Sequence, residues 1–355
     1  MRKAALTVFL YSIWPTANYA MAAAFASMVV DPLQPPTGVY LIRSEDFVAW
    51  IYPLGARLMQ VWWLAAPGRP RPLTVGFDQA SSYQQDTMAM GAVCGRYGNR
   101  IAGAQLIHGD QHYALNANHP LGHCLHGGQY GFGQRMWGVR SHHGHTIVLD
   151  LLSTDLDQGF PGNCATTIQF EWLANSLQWT AYAHVDKPCP INLIPHPYWN
   201  LDASPTIEQH TLIVNGSFYL PLDTLELPMP LTHVQGTAFD YRLPKRIAHA
   251  DIAALDAAIR IDPSTDKHHH GLHHAATASV PGLALAVHTD QPFVHLYGGS
   301  GLQPSERHLG VAHTSGAGLC VETESWPNGP ALGTVIWHDA DTPYRHTAKW
   351  TFTTD

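Results

Sequence analysis

Residues 167–185 read TIQFEWLANSLQWTAYAHV. Ile168, Phe170 and Trp172 alternate with Gln169 and Glu171, and Leu177, Trp179 and Ala181 continue the alternation beyond Asn175 and Ser176. A period of two puts the apolar side chains on one face of an extended strand and cannot make an amphipathic helix. Two such arms around a short polar turn predict a β-hairpin with Asn175 and Ser176 at its tip. AQLIHGDQHYAL (104–115) repeats the pattern around Gly109-Asp110, a two-residue hairpin turn. β-Patterned runs fill the rest of the chain: VYLIRS (39–44), FVAWIYP (47–53), RLMQVWWL (57–64), HTLIVNGSFYLPL (210–222), LALAVHTD (283–290), FVHLYGG (293–299), GLCVETE (318–324) and HTAKWTFTTD (346–355). The 30 Gly and 26 Pro are spread along the whole length, so turns punctuate it throughout. Only HADIAALDAAI (249–259) reads as a helix, and no fixed repeat supports a propeller or solenoid. The 355 residues are 45% hydrophobic, enough for one large core. The expected fold is all-β, a large antiparallel β-sandwich forming a single domain over residues 38–355.

Residues 27–37 form a Pro-rich spacer ahead of that domain, and residues 1–26 look like a signal-peptide leader. Arg2 and Lys3 precede an apolar run, and AFAS (24–27) offers an A-x-A cleavage pattern. The run is too short for a permanent membrane span. Export to the periplasm or medium is therefore expected; translation from Met21 or Met28 would instead leave the chain cytoplasmic.

Composition narrows the partners. Charged residues are only 13% of the chain, and 19 basic against 27 acidic residues give a net charge of −8 with no basic run. That argues against nucleic acid and an anionic membrane surface as partners, and disfavours a heavily phosphorylated substrate. The 11 Trp, 14 Tyr and 24 His suit a neutral polar molecule such as a sugar, whose C–H faces are edged by hydroxyls. Cys94, Cys124, Cys164, Cys189 and Cys320 include no CxxC pair, which excludes a zinc knuckle and argues against a disulfide framework. DKHHHGLHHAA (266–276) carries five histidines that could take up a transition metal; it reads as a solvated loop insertion with adventitious affinity.

Five stretches concentrate chemistry. GRYGNRIAG (95–103) packs Asn99 and Arg100 into a glycine-rich turn, and CLHGGQYGFGQRMW (124–137) sets His126 before two glycines. GFPGN (159–163) is a tight turn, and IPHPYWNL (194–201) clamps His196 between two prolines beside Tyr198 and Trp199. CVETESWP (320–327) places Glu322 in an otherwise apolar strand. Singly, each has a structural explanation: an arginine in a turn is usually solvated, and a strand glutamate usually faces water.

In this order the five stretches resemble the aldose 1-epimerases, or galactose mutarotases. The resemblance runs from about residue 38 to the C-terminus and takes in FYLPLD, GTAFDYR and YRHTAKWTF. It implies a β-sandwich with an open sugar-binding cleft, an aldose substrate, and no metal or organic cofactor. The reaction it implies interconverts the α and β anomers of free aldohexoses such as galactose and glucose by acid–base ring opening and closure. Glu322 then matches the general base and His196 the general acid, with His126 near the ring oxygen. Arg100 and Asp256 match residues that hold sugar hydroxyls, Asn99 assists, and Tyr198 supplies packing or a stacking face. His295 stands where the family has a sugar-contacting glutamine. Pro195 and Pro197 flank His196 where the family has Asn and Ser, and Asp256 lies in LDAAI where YDHNFV is usual. A hexose-6-phosphate 1-epimerase would want an Arg or Lys cluster, which is absent. A non-catalytic carbohydrate-binding protein would lack Glu322 or His196. The expected state is a monomer or weak homodimer.

Overall fold

The computed structural model describes residues 30–263, 271–305, 308–309 and 313–354. The leader-like residues 1–26 and the first three histidines of the 266–276 stretch lie outside the described residues. Three antiparallel sheets carry the architecture. The largest has nine strands, in the order Gly138–His143, Thr146–Ser153, Cys164–Leu173, Ser176–Val185, Tyr344–Thr354, Leu283–Thr289, His273–Val280, Thr211–Val214 and Lys245–Arg246. A four-stranded meander comprises Tyr40–Arg43, Phe47–Tyr52, Arg57–Trp63 and Arg71–Pro72. A six-stranded sheet orders Tyr198–Trp199, Leu319–Glu324, Phe293–Tyr297, Asp256–Arg260, Phe218–Leu220 and Thr232–His233.

Aromatic side chains lock the sheets together. Phe47 of the meander stacks on Phe352 and Trp172 of the large sheet, with centroids 4.7 and 5.7 Å away. Trp199 of the six-stranded sheet meets Trp350 and Phe352 at 5.7 and 5.8 Å. Each such ring, fully removed from water, contributes about 1.5–3 kcal/mol of transfer free energy. The alternating strand Cys164–Leu173 turns Ile168, Phe170 and Trp172 into this core and Thr167, Gln169 and Glu171 outward. Phe47–Tyr52, Arg57–Trp63 and Leu319–Glu324 are buried along their whole length, so both of their faces are covered. In Leu319–Glu324, Leu319 and Val321 join the main core, and the period of two sends Cys320, Glu322 and Glu324 to the other face. The candidate cleft is built on that face.

Three readings of local structure are corrected. The hairpin at 167–185 turns at Ala174-Asn175, one residue earlier than Asn175-Ser176, because Leu173 pairs with Ser176. Asn175 is held there by its side chain and carbonyl, which bond the backbone of Phe352 in the next strand. HADIAALDAAI is helical only over His249–Ile252, and Asp256–Arg260 is a strand paired with Phe293–Tyr297. The alanines favour helix, but antiparallel pairing on a buried sheet outweighs that intrinsic preference. The Gly109-Asp110 hairpin forms as expected, with His108 opposite Gln111 and Gly109 at φ 57°. The histidine-rich stretch is not wholly a loop: His273 and His274 begin a strand of the large sheet, opposite Thr289 and His288. All five cysteines are buried and unpaired. Among the described residues, no helix is long and apolar enough to cross a membrane.

Candidate active site

His196 is fixed by its backbone before its side chain is considered. Pro195 and Pro197 have no N–H, so His196 supplies the only donor of the three residues. It donates to the Ala92 carbonyl at 3.0 Å, and its own carbonyl accepts from Gly91 at 2.9 Å. Tyr198, two residues on, points to the same side and stacks on the His196 ring at 5.1 Å. The Tyr198 hydroxyl donates to the Met88 carbonyl at 2.9 Å, so this ring serves as packing. Trp199 points the other way, into the core.

Glu322 sits directly opposite His295 in the antiparallel pair, which sends both side chains to one face. Its Oε1 lies 3.3 Å from His196 Nε2. Burial favours the neutral form of each group: it pushes Glu322 up to about 8 and His196 down to about 4. Between those two values the adjacent groups share one proton. Cys320 Sγ is 3.6 Å from His196 Nδ1, on the ring's other side. The donor atoms of His196, Cys320 and Glu322 lie within 4.8 Å of one another. Burial drives the Cys320 thiol well above its usual range, which opposes the thiolate a metal would need.

Asn99 and His126 form the opposite wall. Both have positive φ, 65° and 51°, and each backbone N–H bonds the other residue: Asn99 N–H to His126 Nδ1, and His126 N–H to the Asn99 carbonyl, both at 3.2 Å. That contact makes Nδ1 the acceptor and leaves Nε2 as the donor of neutral His126. Burial, reinforced by His196, holds His126 well below the usual histidine range. Its ring meets that of His196 edge-on, 5.5 Å between centroids. Gly127 follows at φ 85°, where a Cβ would lie 1.9 Å from the Gly95 carbonyl oxygen, so no other residue fits.

His295 has both ring nitrogens engaged. Nε2 is 2.8 Å from Asp256 Oδ1, and Nδ1 is 3.5 Å from Glu324 Oε1. Burial alone would lower its affinity for protons, but the two carboxylates reverse this and raise it to about 10. Glu324 is fully buried, and the Asn99 side-chain amide also donates to it, at 3.3 Å. Arg100 reaches outward, its Nη2 2.6 Å from Glu226 Oε2.

Glu322, His196, His126, Arg100, Asn99, Asp256, His295 and Tyr198 all line one cleft of about 250 Å³, together with Thr87, Met88, Ala89, Leu125 and Tyr297. His295 lines the cleft with both ring nitrogens already serving the two carboxylates, so any bond it makes to a sugar hydroxyl is shared with Asp256 or Glu324. GFPGN does not line the cleft. Its Pro161 and Gly162 carbonyls accept from the buried Arg96 guanidinium, both at 2.9 Å, which ties that turn beneath GRYGNRIAG. Three participants escaped the sequence reading. Glu324 was signalled only by its spacing of two from Glu322. Asp86 pairs with the buried Arg57 at 2.6 Å and accepts the Met88 and Met90 amides, and so shapes the 86–90 wall. Glu226 belongs to a loop without a motif.

A β-sandwich with a buried carboxyl–imidazole pair in a polar cleft fits an isomerase acting on carbohydrates. The family model described as aldose 1-epimerase matches residues 38–345, and the chain belongs to that family. It is 30% identical over 308 residues to the aldose 1-epimerase of Escherichia coli, covering 84% of this chain and 88% of that one. It is 31% identical over 298 residues to the galactose mutarotase of Homo sapiens, covering 80% and 85%. Among solved structures, the galactose 1-epimerase of Lactobacillus acidophilus superposes with a TM-score of 0.77 at 25% identity, over 88% of this chain and 93% of that one. An aldose epimerase homologue from C. elegans shares the fold, with a TM-score of 0.82 at 24% identity, over 89% and 99%.

Proposed function

We propose that the protein anomerises free, unphosphorylated aldohexoses at this cleft, with Glu322 and His196 as the proton-transferring pair. The observation that carries the reading is their 3.3 Å approach at the buried end of a cleft lined by hydroxyl-binding groups. Anomerisation needs a base to take the proton from the anomeric hydroxyl and an acid to give one to the ring oxygen. As the C1–O5 bond breaks, the open aldehyde forms; rotation about C1–C2 and closure deliver the other anomer. The step needs one proton on the pair at the outset, and the pair holds one between about pH 4 and 8. The pair works as carboxylate and imidazolium, a tautomer of the neutral resting form, so no proton is drawn from solvent. Neutral His126 offers its Nε2–H to the ring oxygen region, and Asp256 and Arg100 face the remaining hydroxyls. Arg100 is the only Lys or Arg that lines the cleft among the described residues, and Glu226 already pairs with it, which favours an uncharged sugar over a hexose phosphate.

Polarimetry of freshly dissolved α-D-galactose or α-D-glucose tests the reading. Glu322→Gln removes the base and keeps its shape, and His196→Asn removes the acid. Each is expected to lower kcat by roughly 10²–10⁴ while sugar binding holds within about tenfold. A Glu322→Gln variant that turns over at the normal rate refutes the assignment.

A further inference from the structure

Glu226 sits in a turn that the fold builds with care. Asp223 accepts the Leu225 and Leu227 amides at 2.8 and 2.9 Å, and the Glu226 amide donates to the Asp223 carbonyl at 3.0 Å. Glu226 itself adopts φ 57°, a conformation that costs a non-glycine residue free energy. The turn is also tied from below, since His123 Nε2 lies 3.0 Å from the Leu225 carbonyl. All of this delivers one carboxylate oxygen to Arg100 Nη2 at 2.6 Å and to His119 Nε2 at 3.3 Å.

The consequence is electrostatic. Two strong cations border the cleft, Arg100 and the His295 imidazolium. Asp256 and Glu324 compensate the second, and Glu226 compensates the first. We propose that Glu226 is a specificity-determining residue: it occupies Arg100 so that aldoses carrying an anionic group at C6 are excluded and neutral aldoses are accepted. The proposal rests on the anomerisation reading for the sugar's orientation. C1 and C5 both bond to the ring oxygen. With the anomeric hydroxyl at Glu322 and the ring oxygen between His196 and His126, the C6 substituent projects past His126. Arg100 stands there, paired in register with Leu125, the residue before His126. A free guanidinium at that point would grip a carboxylate or phosphate through charge-assisted bonds. With Glu226 in place, the same anion meets an engaged cation and a like charge.

Calorimetric binding of D-galacturonate and D-galactose tests this, because the two sugars differ only at C6. Glu226→Gln keeps the side-chain shape and removes the charge. Its ratio of galactose to galacturonate Kd is expected to shift toward galacturonate by roughly tenfold or more, the worth of one charge-assisted hydrogen bond. Glu226→Ala should shift it in the same direction. A ratio within twofold of the unmodified protein's in both variants overturns the proposal. Binding does not depend on turnover, so a failure of anomerisation in the polarimeter and a failure of Glu226 as an anion filter are read separately.

Discussion

Replacing His295 by glutamine removes a buried charge beside the proton-sharing pair, and the effect can be worked from the register. His295 and Glu322 are directly opposed residues of an antiparallel pair, with Cβ atoms about 5 Å apart, and for side chains that diverge toward their ends the charges lie on the order of 7 Å apart. At an effective dielectric constant of about 20, a cation at that distance stabilises a carboxylate by roughly 2 kcal/mol. Since 1.36 kcal/mol corresponds to one pKa unit, deletion should raise the pair's affinity for protons by somewhat more than one unit. His295 does lower the proton affinity of Glu322, against the larger effect of burial, and it acts on His196 in the same direction. The other ionisable groups facing His295 are Asp256 and Glu324, which it bridges, and His126. Loss of the imidazolium leaves Glu324 buried and short of its partner, so that carboxyl takes up a proton and damps the change.

The whole bell of kcat/KM against pH should therefore move alkaline by about one unit. The unmodified protein, with limbs near 4 and 8, should lose activity at pH 9. His295→Gln should be less active than it at pH 4.5 and more active at pH 9, with kcat near neutrality little changed. The assay is polarimetric kcat/KM for α-D-galactose across pH 4–10, corrected for the spontaneous rate. Limbs that stay in place after the cation is removed refute the electrostatic reasoning. Uniform loss at every pH would assign His295 a structural role alone.

Glu322 should weaken the fold at high pH: its folded-state affinity is raised to about 8, so stability is fullest below the unfolded value of 4.5 and is lost as pH rises toward 8. Neutral Glu322→Gln escapes this cost, on the order of 3 kcal/mol at pH 7, and its Tm advantage should grow from pH 4.5 to pH 8 in thermal melts. Gly127→Ala forces a Cβ to within 1.9 Å of the Gly95 carbonyl oxygen, so anomerisation and Tm should fall together as the His126 turn is displaced. Tyr198→Phe removes only the hydroxyl bond to Met88; it should cost about 1 kcal/mol of stability in denaturant titration and leave KM for galactose nearly unchanged.

The legibility of the chain follows the range of the interaction behind each feature. Hairpins such as that at Gly109-Asp110 are set by local alternation and turn chemistry, and read directly. Asp256–Arg260 does not, because its strand state depends on pairing with residues nearly forty positions away. Six of the cleft's eight anticipated residues lie in stretches with unusual local character, with prolines around His196 and Tyr198, glycines around Asn99, Arg100 and His126, and Glu322 in an apolar strand, whereas Asp256 and His295 are placed by the resemblance alone. His295 could be placed at the cleft from the resemblance, but its charge could not, since that is created by Asp256 and Glu324 from neighbouring strands. Glu226 left no trace, because its meaning lies in Arg100, more than a hundred residues away.

Burial gives the cleft its chemistry and is also what makes it costly. A carboxyl and an imidazole in water would titrate near 4.3 and 6.5, and at neutral pH most such pairs would hold no proton at all. Moving both out of water reverses the order: the carboxyl now keeps its proton to about 8 and the imidazole gains a second only near 4. The singly protonated pair, which the proposed reaction requires, becomes the dominant form over about four pH units. The penalty is a buried carboxyl that resists ionisation, and the His295 cation directly opposite on the neighbouring strand limits it without contributing a proton. Placing the permanent charge on His295, bracketed by Asp256 and Glu324, lets Glu322 and His196 remain net neutral and free to exchange a proton with the sugar.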